Sequence, residues 1–513
     1  MINFGQGGLE KTSLPKSYRY MKKQIMLLTL LLTVVAQIRA EVKMPRLFTD
    51  GMVLQRDSKP NLWGTAKAGA TVKIRTTWNG KTVETKAGKD GKWKAQVETG
   101  EAGGPYEIVL SDGQEKKISN VLIGEVWVCS GQSNMEMTME GYKGQVVEGA
   151  IVDLMESKDE QLRLFTVGHA SKMEPQDDVE GEWQEAEAKS VRKFSACAYY
   201  FGRQLRRSLG VPVGLISASW GGSSCEAWMA KEWLKEFPET DRKNNPGERT
   251  YVVPEKEGDI KSPNRTPTVL YNGMLHPIIG YTMKGVIWYQ GEDNIPRYKT
   301  YAKMQKKMIE GWRSEWKQGD FPFEFCQIAP YDYNIIEWKV NSALLREQQQ
   351  IVEKTVKNTN MIVLLDAGLQ YCIHPKKKRT AGERLAMHAL ADAYGMEGLS
   401  KSAWYEAVEF RNDTAVISFD RSRMWVHFEN GRAKDNFEVA GEDRVFHKAQ
   451  AWVYRNRVYV VSREVKQPKA VRYAFHNWVE GDLRCDGLPV SSFRTDDWDD
   501  EADVKIGKEY DIK

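Results

Sequence analysis

Four short segments carry polar residue types that packing alone does not require. Gly131-Gln132-Ser133-Asn134-Met135 follows the apolar run Gly124 to Cys129. A serine at such a strand-to-helix turn can present its hydroxyl outward, beside helix N-terminal amides able to hold an oxyanion. Ser219-Trp220-Gly221-Gly222-Ser223 closes a second apolar run, and paired glycines there let backbone N–H groups approach a ligand closely. Trp288-Tyr289-Gln290-Gly291-Glu292-Asp293-Asn294 closes a third, and an asparagine amide can donate to an oxyanion. The fourth is Ile373-His374-Pro375, eight residues past Asp366. A neutral imidazole is the usual base for a serine hydroxyl. Each segment also has a plain structural reading: an N-cap serine, a tight turn, an asparagine cap, a packed histidine. Of seven histidines (169, 276, 374, 388, 427, 447, 476), His374 stands out because it falls in a strand-end loop before a helix.

The elements around these segments alternate. Strand-like runs at Gly124–Cys129, Val211–Ser219, Lys284–Gln290, Phe323–Ile328 and Met361–Leu365 are interleaved with helical patterns. The helices are expected at Phe194–Leu209, with Arg203, Arg206 and Arg207 on the polar side, and at Tyr301–Trp316, Ala343–Lys357 and Ala381–Tyr394. This alternation predicts an α/β domain with a doubly wound parallel sheet over residues 121–400, whose sites lie where strands end and helices begin. Residues 41–120 read as a β-rich, sandwich-like segment, with Asn79-Gly80, Asp90-Gly91 and Asp112-Gly113 as turn signals. A second β-rich module is expected within 401–513, ending in an acidic, solvated tail, Asp496 to Glu501.

Composition bounds the function. A chain of 513 residues exceeds one ordinary domain. With 74 basic against 70 acidic residues and no basic stripe, nucleic acid is not an expected partner. Met21-Lys22-Lys23, the apolar run Ile25 to Val35 and Ile38-Arg39-Ala40 have the layout of a signal peptide. Residues 1–40 are therefore expected to be an upstream segment and leader, with translation starting at Met21, and the mature protein to be secreted or periplasmic without a stable membrane anchor. Six cysteines (129, 197, 225, 326, 372, 485) form no C-x-x-C pair, which excludes the usual zinc spacing.

Ser, Gly, Asn and His thus occur in that order at successive junctions, an arrangement that resembles the SGNH hydrolases and, within them, the sialate O-acetylesterase family. The likeness spans nearly all of the chain after the leader. It includes Met52-Val53-Leu54-Gln55-Arg56 with Trp63-Gly64, Gly124-Glu125-Val126-Trp127 leading into the Ser133 segment, and Phe194-Ser195-Ala196 through Tyr200-Phe201. It continues through Val211 to Ile216, Trp220-Gly221-Gly222, Tyr271-Asn272-Gly273-Met274, Tyr289-Gln290-Gly291-Glu292 with Asn294, and Leu345-Arg346-Glu347. It closes with His374-Pro375 and Lys377, Gly487-Leu488-Pro489 and Phe493-Arg494-Thr495.

The resemblance implies an SGNH hydrolase domain flanked by β-sandwich-like segments. Ser133 would be the nucleophile and His374 its base. The Ser133 N–H, a glycine N–H (Gly222 rather than Gly221) and the Asn294 side chain would form the oxyanion hole. Gln132, Gln290, Glu292 and Arg346 would face substrate, with Arg346 as a partner for a sugar carboxylate. One position departs from the family: relatives often carry Asp two residues before the histidine, and this chain has Cys372. Three readings follow: a Ser–His dyad oriented by a backbone carbonyl, Asp366 reaching the ring from the strand end, or a weakened enzyme. The implied substrate is an O-acetylated sialic acid, free or on a sialoglycan, hydrolysed without metal or organic cofactor. Deacetylation of a polysaccharide such as acetylxylan, and a decayed site that only binds sugar, are the rival readings.

Overall fold

The apolar run before Ser133 lies inside one strand of 17 residues, β1 (Glu115–Gly131), buried on both faces from Val121 onward. The computed structural model describes residues 42–336, 340–420 and 425–498, with Met1. The expected leader therefore lies outside the described residues apart from Met1, as do residues 499–501 of the acidic tail. No helix among the described residues is long and apolar enough to cross a membrane.

Six further strands complete the central part of the sheet: β2 (Asp159–Thr166), β3 (Trp183–Ala186), β4 (Val213–Ser219), β5 (Gly285–Tyr289), β6 (Phe323–Cys326) and β7 (Thr359–Ile362). Their spatial order is β7-β6-β5-β1-β4-β2-β3. All neighbours are parallel except β3, which runs antiparallel to β2. Side chains alternate between two apolar clusters, as the pleat of a strand dictates. Val126 and Val128 join the cluster holding Met304, Met308, Leu344 and Leu345, so helices α3 (Tyr298–Trp316) and α4 (Ala343–Thr355) cover that face. Trp127 and Cys129 join the cluster holding Tyr200, Phe201, Leu385 and Ala389, so α2 (Ala196–Leu209) and α5 (Lys378–Asp392) cover the other. α2 begins at Ala196 because the Ser195 hydroxyl accepts the Ala198 N–H at 3.1 Å, and it stops at Gly210, whose φ is 68°. Gly382 lets α5 approach α2: a Cβ there would lie 2.6 Å from the Cys197 carbonyl oxygen.

The N-terminal strands do not form a free-standing sandwich. Gly103–Ser111 pairs antiparallel with β1, Thr71–Thr76 pairs with it in turn, and Val53–Gln55 runs parallel to residues 122–124 of β1. Arg203, expected on the polar side of α2, is instead buried, with Nη1 2.6 Å from Asp153 Oδ1. Asp153 lies in a short helix, Ala150–Met155, that the alternation pattern does not reveal.

The C-terminal β strands are joined to α4 by a buried arginine. Arg346 is 0% exposed. Its Nε donates to Ser492 Oγ at 3.0 Å, its Nη1 to Ser342 Oγ at 3.2 Å, and its Nη2 to the carbonyls of Ala474 and His476 at 3.2 and 2.7 Å. It is consumed by these bonds and offers nothing to a substrate carboxylate, contrary to the expectation from sequence. Burial pulls its pKa down to about 10, against Tyr333. Asp496, expected in a solvated tail, is likewise paired with Arg472 at 2.8 Å. Replacing Arg346 by Met or by Lys is expected to lower stability by about 2–4 kcal/mol, because several buried acceptors lose donors and an ammonium cannot reproduce the fork. The measurement is the urea midpoint; an unchanged midpoint in both variants would refute the role.

Candidate active site

Strand register brings three of the four polar segments together. Gly131 pairs with Ser219 on one side and with Tyr289 on the other, so β1, β4 and β5 end in one row. Their next residues, Gln132-Ser133, Trp220-Gly221-Gly222 and Gln290-Gly291, leave the sheet at the same edge. Gly131 has φ 140°, and a Cβ there would fall 2.1 Å from the Tyr289 carbonyl oxygen, so only glycine permits this turn. Ser133 then opens a single-turn helix, α1 (Ser133–Glu136). Its N–H belongs to the first turn, which has no intrahelical acceptor.

The fourth segment is latched to the first through Asn134. The Asn134 Nδ2 donates to Glu292 Oε1 at 2.6 Å and to the Ile373 carbonyl at 3.2 Å, while its Oδ1 accepts from Lys378 Nζ at 2.5 Å. The residue before His374 is therefore held by the residue after Ser133. Tyr142 adds a second bridge. Its hydroxyl lies 3.2 Å from both the Ser133 carbonyl oxygen and Glu136 Oε2, and its ring meets the His374 ring edge-on at 5.0 Å. The Ser133 hydroxyl itself is not hydrogen-bonded to the imidazole.

The His374 Nδ1 faces Gln145 Oε1 at 2.6 Å. An amide oxygen only accepts, so Nδ1 carries the proton and Nε2 keeps its lone pair. Asp366 is not the partner of this ring. Its carboxylate is held by Arg384 at 2.8 and 2.7 Å and by Arg484 at 2.9 Å, a demand that outcompetes any neutral donor. The Cys372 thiol donates to the carbonyl of His374 at 3.3 Å and does not replace the missing carboxylate. His276, the other histidine beside a matched segment, has its Nδ1 2.8 Å from the Gln176 carbonyl oxygen. Burial, reinforced by Lys378 and opposed by Glu136, pulls the His374 pKa down to about 4. The ring is thus neutral over the ordinary pH range.

The glycine against the nucleophile is Gly221: a Cβ on it would lie 3.5 Å from Ser133 Cβ. Its N–H is engaged, however, donating to Glu136 Oε2 at 2.8 Å. Among the described residues the N–H groups of Ser133 and Gly222 have no protein acceptor. Glu136 also pairs with His169 at 2.7 Å, and the His169 ring stacks on Trp220 at 4.2 Å. Neither His169 nor Gln145 carries a local signal: each meets the site only through the folded chain.

The remaining expected residues are buried supports. Asn294 is 1% exposed, with its Nδ2 on Glu226 Oε2 at 2.8 Å and its Oδ1 accepting from the Cys225 N–H and Gln290 Nε2. Its amide serves a buried carboxylate that Arg297 also pairs, not an oxyanion site. Gln290 Nε2 is spent on the Ser223 carbonyl and Asn294, and its Oε1 accepts from Tyr301. Glu292 has one oxygen on Asn134 and one with no hydrogen-bond partner among the described residues, and burial raises its pKa. Gln132 alone of these four abuts the nucleophile; its Oε1 accepts from the N–H groups of Gly291 and Asp293 at 3.2 and 3.4 Å. No group of three or more His, Cys, Asp or Glu among the described residues is placed to hold a metal ion.

The profile of a family described as carbohydrate esterase, sialic acid-specific acetylesterase, matches residues 123–391. The chain belongs to this family. It is similar to sialate O-acetylesterase of Rattus norvegicus, 29% identical over 426 residues, covering 72% of this chain and 77% of the relative. The sialate O-acetylesterase of Homo sapiens is 30% identical over 393 residues, covering 68% and 70%. A crystal structure of a carbohydrate acetylesterase from Xanthomonas citri superposes with a TM-score of 0.80 at 34% identity, covering 89% of this chain and all of that one.

In this esterase the Asn134 latch has a measurable cost of removal. Asn134→Leu would leave the Lys378 ammonium and the Glu292 carboxyl without their shared partner in the interior. Burial already pulls Lys378 down to about 8, against Cys197 and Glu292. The variant is expected to lose about 3–5 kcal/mol of stability, the range for stranding a buried charge. Urea unfolding reads this directly, and a wild-type midpoint would sink the latch.

Proposed function

We propose that the protein is an exported serine esterase that removes O-acetyl groups from sialic acids, with Ser133 as nucleophile and His374 as base. The observation that carries the reading is the His374–Gln145 hydrogen bond, which sets the tautomer a general base needs, on a loop held against the Ser133 turn. The sheet order, with helices on both faces and sites at the strand ends, supports a doubly wound SGNH-type domain. Export rests on the basic and apolar stretch before Ala40.

His374 Nε2 takes the Ser133 proton as Oγ attacks the acetyl carbonyl. The tetrahedral oxyanion is received by the Ser133 and Gly222 N–H groups, for which no acceptor among the described residues competes. The C–O bond to the sugar breaks, His374 returns the proton to the leaving alcohol, and an acetyl-Ser133 remains. Water, deprotonated by the same imidazole, attacks this ester and releases acetate, restoring the serine. Catalytic hydrogen bonds are often open without substrate and tighten when it binds; the Ser133–His374 pair is read in that way. Gln132 is retained as a contact at the mouth. Gln145 speaks against a decayed sugar binder, since the ring orientation lost with the carboxylate is supplied by an amide.

Ser133→Ala and His374→Ala are each expected to lower acetate release from an O-acetylated sialoglycan at least about 10³-fold, because the two act as a unit. Release by Ser133→Ala at the wild-type rate would end the proposal, and faster release from acetylxylan than from the sialoglycan would move the substrate assignment. The pH profile is a second check. With the imidazole at about 4, activity should hold through neutrality and fall only as pH drops through about 4. Gln145→Glu places a carboxylate on Nδ1, favours the imidazolium and should move that acidic limb upward. Gln145→Ala should lose about 10²-fold, the lower end of what an oriented base contributes. An unmoved limb in Gln145→Glu would refute the orienting role.

A further inference from the structure

We propose that Arg265 binds the carboxylate of the acidic sugar and so selects sialic acids among acetylated substrates; this rests on the esterase reading above. Arg265 lies on the segment Ser262 to Arg265, which is pinned to the glycine turn beside the nucleophile. Asn264 Nδ2 donates to the Gly221 carbonyl at 2.7 Å, and the Ser262 hydroxyl donates to Asn264 Oδ1 at 2.9 Å. The guanidinium reaches the next residue of the turn: a Cβ on Gly222 would sit 3.3 Å from Arg265 Nη2. Gly221 in turn abuts Ser133, so the cation stands within two residues' breadth of the reacting hydroxyl.

The guanidinium is aimed, not merely nearby. Its Nε donates to Asp293 Oδ1 at 2.7 Å, and Asp293 is buried and also faces Arg297 Nη2 at 3.6 Å. That bond fixes the plane of the group while using only one of its five N–H donors. Nη1 and Nη2 make no hydrogen bond to any described residue, and the side chain is 39% exposed. The two form the end-on fork that matches a carboxylate bidentately. Asp293 is fixed from the nucleophile side as well, because its N–H donates to Gln132 Oε1 at 3.4 Å. A carboxylate seated on this fork would place the rest of the sugar across the Gly221-Gly222 turn toward Ser133. Trp220, which precedes that turn, stacks on His169 and offers a flat aromatic surface. Sialic acids carry their carboxylate at one end and acetylated hydroxyls further along the molecule, whereas acetylxylose units carry no charge.

The test compares methyl α-glycosides of sialic acid, acetylated at O-9 and at O-4, with the same compounds esterified at the C-1 carboxylate by methanol. Wild type should cleave the free acid with a kcat/KM about 10- to 100-fold above that of the methyl ester, the worth of a charge-assisted hydrogen bond. The difference should lie in KM. Arg265→Gln should bring the acid-to-ester ratio close to one, and Arg265→Lys should retain part of it. Equal cleavage of acid and ester by wild type overturns the assignment whatever the variants do, as does a ratio preserved in Arg265→Gln. If wild type cleaves neither sialoside yet hydrolyses p-nitrophenyl acetate, the sialic acid reading fails and this assignment falls with it.

Discussion

One asparagine side chain ties the site to the fold. Asn134 has four hydrogen-bonding positions, and three are occupied by groups from two other segments. Its neighbour Ser133 is set by the end of β1, while His374 comes 241 residues later from a long loop with little regular structure of its own. A loop of that kind has no intrinsic reason to hold an imidazole steady. The Ile373 carbonyl on the Asn134 amide gives it one, and the amide is itself pinned by Lys378 at the start of α5 and by Glu292 beyond β5. The interior charges are therefore partners in positioning, and their burial is tolerable only because the amide bridges them.

The second constraint is parallel register. Because Gly131, Ser219 and Tyr289 share one row, every chain leaving that edge must turn within a few residues, and two of the turns need glycine. Crowding at this edge explains why the polar residues there bond mostly to one another. Gln290, Glu292 and Asn294 form a buried lattice under the turns, and the groups left over for a ligand are backbone N–H donors, the Gln132 amide nitrogen beside the nucleophile and the residues of the rim.

Much of the fold is legible in the sequence because it depends on local pattern. The runs at Val211–Ser219 and Lys284–Gln290 become strands within two residues of their expected ends, since both are mostly apolar and have glycine or proline at or beside their ends. β2 escapes notice because Asp159, Glu160, Gln161 and Arg163 break its apolar run; it lies beside β4 and is covered by β3 only on its other edge. The site is legible as four segments and not as a set of contacts. Arg346 and Arg265 are both arginines near matched motifs, and nothing in their neighbours tells which is sealed inside and which is half-exposed. Asp366 is near His374 in sequence, yet Arg384 and Arg484 claim it. Gln145 is 229 positions from the ring it touches, a separation that no motif spacing encodes.

The continuity of β1 has a practical side. Its first residues pair with Gly103–Ser111, and its last residue carries the turn to Ser133, without a break at residue 120 where the texture of the sequence changes. A shorter protein beginning at Val121 would start in mid-strand, with raw backbone donors where Gly103 and Tyr106 now pair. The upstream β region is thus a splint for the nucleophile, and trimming it would fray the edge of the very strand that aims the serine.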